Sequence, residues 1–109
     1  MLGTYYNGLL EFNFSVVIKS SNHENCLLVS KKMKEYFSAW YFCCNQSNEH
    51  KSARKGDVLN RELQAKVKGY SSDIVAFREG MRCICFHYDL YLEDTTVRII
   101  DRGTTPIDK

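Results

Sequence analysis

Proline occurs once in this sequence, at Pro106, alanine is scarce, and no apolar stretch approaches the roughly 20 residues that a membrane-spanning helix requires. No bilayer-crossing segment is therefore expected. The opening residues, Met1 to Gly8, carry neither a basic start nor an unbroken apolar run, so a secretory signal is not expected and a cytoplasmic, reducing location is. A Gly-rich phosphate loop, an EF-hand pattern and an HExxH motif are all missing, which removes the enzyme classes recognisable by them. The five cysteines are odd in number and lack the loop-rich spacing of a disulfide scaffold, so they read as reduced thiols.

What remains is a chain of 109 residues, 44% hydrophobic and 26% charged, with enough apolar surface for one core and too little length for two. We expect a single α+β domain over residues 1–102 and a flexible C-terminal tail over 103–109. The lean toward Asn, Lys, Ser, Tyr and Phe is typical of A/T-rich coding sequence and hints at a phage or other mobile element. The net charge of +2 says little by itself, but its distribution is uneven. Residues 31–68 hold nine basic side chains (Lys31, Lys32, Lys34, Lys51, Arg54, Lys55, Arg61, Lys66 and Lys68) against four acidic ones.

Tyr5 to Leu10 contains an Asn-Gly pair that suits a tight hairpin. From Leu10, the residues Leu10, Phe12, Phe14, Val16 and Ile18 alternate with polar neighbours and predict a half-buried strand. Ser21 with Glu24 fits a capping box, followed by a helix whose stripe is Cys26, Val29, Met33, Tyr36, Phe37 and Trp40. Trp40 to Cys44, aromatic or thiol throughout, suits either a continued helix or a buried strand, and the strand is favoured; Asn45 to Gly56 is assigned to an exposed loop. A second helix is expected from Asp57, with Leu59, Leu63, Val67 and Tyr70 as its stripe and Gly69 at its end. The last third reads as an antiparallel meander: Ile74 to Phe77, a Glu79-Gly80 turn, a long strand from Arg82 to Leu92, and Val97 to Ile100; a helix starting at Ser72 is the alternative, disfavoured by adjacent Ile74 and Val75. The expected fold is an α+β two-layer sandwich, an antiparallel sheet of about five strands with two helices on one face.

Candidate chemistry is sparse. In a strand, Cys83, Cys85 and His87 would share one face, but at about 3.3 Å per residue the outer two stand about 13 Å apart, too far for one zinc. A metal site would need Cys43, Cys44 or His50 as well, and none is expected; no cofactor is expected either. Cys26 with His23 could form a nucleophile and base on one helical face, yet Cys26 opens the apolar stripe, where a thiol is inert. Asp89, Glu93, Asp94 and Asp101 gather near the final turn, as carboxylates commonly do without any function. No catalytic residue is assigned, and an enzyme is not expected.

Two surfaces stand out. Tyr5, Tyr6, Tyr41, Tyr88 and Tyr91 are candidates for a protein interface, because tyrosine gives large contact area at low entropic cost. Lys31, Lys32, Lys34, Lys51, Arg54, Lys55, Lys66 and Lys68 could line one phosphate-binding surface if two helices lay side by side. The leading expectation is a small intracellular protein-interaction module, an inhibitor or modulator of anti-defence or host-takeover type. It would dock through a sheet face or edge, with self-association through an uncovered strand. The alternative is a nucleic-acid-binding module using the basic surface of residues 31–68.

Overall fold

A computed structural model describes residues 8–38, 42–50 and 59–107, with the backbone alone described at 42–50 and at Leu59. Strand β1 (Leu10–Ser20) leads to helix α1 (His23–Ser38), then to strands β2 (Phe42–His50) and β3 (Leu59–Gly69), helix α2 (Ser71–Tyr91) and strand β4 (Thr95–Pro106). The strands lie in the order β2-β3-β1-β4, and every neighbouring pair is antiparallel. Each helix thus joins two parallel strands that have a third strand between them, the split β-α-β arrangement called ferredoxin-like. The two-layer α+β architecture stands, with four strands among the described residues where five were expected.

β1 is central because it is apolar on alternate residues and can pair on both edges. Phe12, Phe14, Val16 and Ile18 are all buried against the helices. α1 begins one residue later than the Ser21 box predicts. Asn22 caps it, its side-chain oxygen accepting from the Glu24 amide at 3.0 Å, while Ser20 Oγ accepts from the Asn22 amide at 2.9 Å. Cys26, Val29, Met33 and Phe37 form its buried stripe as the spacing predicts.

The second half departs from expectation. Residues 59–69 form a strand, since the steps of four between Leu59, Leu63 and Val67 suit an extended chain as well as a helix. Ala65, buried between Leu63 and Val67, and the polar Glu62, Gln64 and Lys66 complete a period of two, and β1 and β2 supply hydrogen-bond partners on both sides. Residues 45–50, assigned to a loop, continue β2 along β3. Residues 71–91, assigned to a hairpin, are one helix. Its buried residues Ile74, Phe77, Met81 and Cys85 recur at steps of three and four, and the modest β-preference of Ile74 and Val75 yields to that burial. Gly80 sits mid-helix instead of in a turn. The Tyr70 amide donates to Asp73 Oδ2 at 2.8 Å and closes the first turn of α2.

Gly103 to Pro106, placed in a tail by the sequence, extend β4 along β1, and the Ile107 amide donates to the Leu9 carbonyl at 2.8 Å. The expected hairpin at Tyr5 to Gly8 falls largely outside the described residues.

The core joins both helices to one sheet face around four phenylalanines. Phe14 meets Phe37 edge-on at 5.4 Å between ring centroids and Phe77 at 5.2 Å, and Phe12 stacks on Phe14 at 5.1 Å. Each fully buried ring contributes about 1.5–3 kcal/mol. The helices touch where Tyr36 of α1 lies over Gly80 of α2 and its hydroxyl donates to the Phe77 carbonyl at 3.4 Å.

Candidate interaction surfaces

Surfaces open to partners among the described residues include the sheet face without helices, the groove between α2 and β4, and the outer side of α2. They differ in chemistry.

Glu11, Asn13, Ser15, Val17 and Lys19 of β1 point to the helix-free face, in register with Lys68, Lys66, Gln64, Glu62 and Asn60 of β3. A bulge in β4 opposite Asn13 and Phe14 adds Arg102 to this face. Asp101 Oδ1 accepts from the amide of Gly103, whose φ of +115° suits glycine, and this fixes the bulge. Arg102 then reaches Ser15 Oγ at 3.2 Å and Glu62 Oε2 at 3.1 Å. Hydrogen bonds from Ser15 first, then Gln64 and Arg102, hold the Glu62 carboxyl below the usual carboxylate range. Among the described residues this face carries Lys19, Lys66, Lys68, Arg98 and Arg102 against Glu11 and Glu62, and no aromatic side chain.

The groove between α2 and β4, about 410 Å³, is organised by Arg78. Its guanidinium lies 4.3 Å from the Phe12 ring centroid and donates to Asp101 Oδ2 at 2.8 Å and Thr104 Oγ1 at 3.3 Å. The arginine thus seals the core and ties the helix to the strand. Asp89 Oδ1 accepts from the outward Val97 amide at 2.9 Å and occupies part of the free edge of β4.

The outer side of α2 is unusually apolar. Phe86 is 65% exposed, Leu90 59% and Val75 50%, and all three lie off the buried stripe, with Phe86 and Arg82 on the flank that borders the β4 groove. Glu79 and Arg82 lie in the same row, giving Val75, Glu79, Arg82, Phe86 and Leu90 at steps of four, three, four and four. Such spacing keeps residues on one helical face.

The expected basic surface is divided by this fold. Lys31, Lys32 and Lys34 are exposed on α1, Lys32 pairing with Glu35 at 3.8 Å, whereas Lys66 and Lys68 project from the opposite side of the sheet, Lys66 beside Glu11 at 3.6 Å. Strand alternation at β3 is the cause. Lys51, Arg54 and Lys55 lie outside the described residues. Tyr5, Tyr6 and Tyr41 also lie outside them, so two of the five candidate tyrosines can be placed. Tyr88 is half-buried, and burial followed by the charge of Glu35 pushes its hydroxyl above the ordinary range. Tyr91 is exposed and meets the His87 ring at 4.7 Å.

Helix geometry turns Cys85 away from Cys83 and His87, which share the opposite side at i and i+4, whereas a strand would have aligned all three. Cys83 and His87 are exposed, while Cys85 is buried and burial, with Asp89 second, pushes its thiol up to about 12. Cys26 is buried beneath α1, and Ser30 Oγ donates to its carbonyl at 2.8 Å; His23 is exposed at the helix start. Among the described residues, no three His, Cys, Asp or Glu side chains converge as metal ligands, and no helix is long and apolar enough to cross a membrane.

No protein-family model matches this sequence, and no curated protein matches it at a significant level. The reading of function therefore rests on the surfaces themselves.

The α2 row is invisible to a reading of residues 82–92 as extended. The heptad-like spacing from Val75 to Leu90 is the signal that would have found it.

Proposed function

We propose that this chain is a small protein-interaction module, a binding protein and not an enzyme, that docks through the outer side of α2. The observation that carries the reading is Phe86, 65% exposed in one row with the exposed Val75 and Leu90 on the longer helix, although the core beneath is already filled by Phe77 and Met81. Exposed large apolar side chains grouped on one helix face are a common mark of association sites. The suited partner offers an apolar strip with charges complementary to Glu79 and Arg82. The composition supports an inhibitor or modulator encoded by a phage or mobile element as the form such a module takes, and the odd cysteine count supports a cytoplasmic setting.

A second reading, nucleic-acid binding, is favoured by one observation, the five cations against two carboxylates that the described residues place on the helix-free sheet face. It moves the phosphate contacts from the helices to the sheet. Binding there would be electrostatic, through the cations, and would weaken steeply with salt.

Photo-cross-linking from two positions separates the readings. A benzophenone side chain at position 86 should give protein adducts in cell extract while one at position 64, on the sheet face, gives none. Adducts to DNA or RNA from position 64, with none from position 86, would replace the first reading by the second.

A further inference from the structure

We propose that α2 pairs with α2 of a second copy of this chain, antiparallel, about a two-fold axis between residues 79 and 82. The inference rests on the reading of α2 as the docking surface and names its partner. The row Val75, Glu79, Arg82, Phe86 is nearly palindromic in character, running apolar, acidic, basic, apolar at steps of four, three and four. Antiparallel pairing about its centre sets Glu79 against the partner's Arg82 and Arg82 against the partner's Glu79. The same register sets Val75 against the partner's Phe86, twice by symmetry.

Parallel pairing would oppose Glu79 to the partner's Glu79, a like-charge contact. All four side chains are exposed, and neither Glu79 nor Arg82 has an ion pair among the described residues, so the charges are free to meet a partner. Self-association through the β4 edge is less suited, because Asp89 already accepts from the Val97 amide there.

From Val75 to Leu90 the row is about 22 Å long at 1.5 Å per residue, short for a standard interface. The dimer is therefore weak, with a dissociation constant on the order of tens of micromolar.

Sedimentation equilibrium of the full chain across about 5–500 µM tests this. The expected result is a monomer–dimer equilibrium. Glu79→Arg or Arg82→Glu alone should weaken it at least about tenfold, and the double exchange should return it to within about threefold of the parent. Phe86→Ser should abolish it, with circular dichroism of each variant expected to match the parent. A monomer at every concentration, or a dimer that ignores the charge exchanges, overturns the proposal. Self-pairing and the broader docking reading fail separately. A monomeric chain that still cross-links another protein from position 86 loses only the first, whereas a chain giving no adduct from position 86 and no dimer loses both.

Discussion

Replacing Gly80 by alanine should destabilise this protein, against the usual rule for glycine in a helix. Taken alone, α2 would gain about 1 kcal/mol from the change, because alanine loses less backbone freedom on folding. The structure opposes that gain. A Cβ at position 80 falls well inside contact distance of the Tyr36 hydroxyl and 3.1 Å from its Cζ, so the ring must swing away. Moving it disturbs the packing on Phe77, whose ring centroid lies 5.4 Å away, and the hydroxyl's bond to the Phe77 carbonyl. Overpacking of this kind costs about 1–3 kcal/mol, which leaves a net loss of about 1 kcal/mol. For a domain of this size that loss lowers Tm by about 5 °C. Urea unfolding followed by circular dichroism should show it, and the same substitution in a Tyr36→Ala background should stabilise by about 1 kcal/mol. A Gly80→Ala protein that is more stable than its parent with Tyr36 present would refute the argument.

Asp89→Ala should cost about 1–2 kcal/mol by stripping the charged acceptor from the Val97 amide, and it should open the β4 edge to intermolecular pairing, seen as light scattering on storage. Glu62 has a lowered native pKa, so its stabilising contribution is present above its ordinary value of 4.5 and is lost as pH falls through the lower native value. The stability difference between the parent and Glu62→Gln should therefore be constant near neutrality and shrink only in acid; a difference that grows on acidification would contradict the assignment. Brief alkylation of the native protein with peptide mapping should modify Cys83 and spare Cys26 and Cys85, and modification of Cys85 without unfolding would show that its burial is misassigned.

The first half of the fold was legible because its periods are unambiguous. Phe12, Phe14, Val16 and Ile18 have no helical counterpart to their alternation, and Cys26, Val29, Met33 and Phe37 have no extended one. The second half was not. A step of four between Leu63 and Val67 serves both a strand and a helix, and only β1 and β2 on either side decide it. Between Arg82 and Leu92 so many residues are apolar that the inner stripe and the outer row merge into one run, which reads as a buried strand. The site suffered with the fold: of the lysines assigned to one surface, the described ones lie on both sides of the sheet, and the exposed row of α2 emerges only once residues 71–91 are helical. Gly80 shows the same limit from the opposite side, for its reason lies in Tyr36, 44 positions earlier in the chain.

Backbone NMR of the uniformly labelled chain tests the central claim most directly, because every surface described depends on which segment coils and which extends. Cα shifts displaced in the helical direction without a break over residues 71–91, and in the extended direction over 59–69, are the result the account predicts. An extended signature through 82–91 would put Phe86 back into a sheet and contradict it.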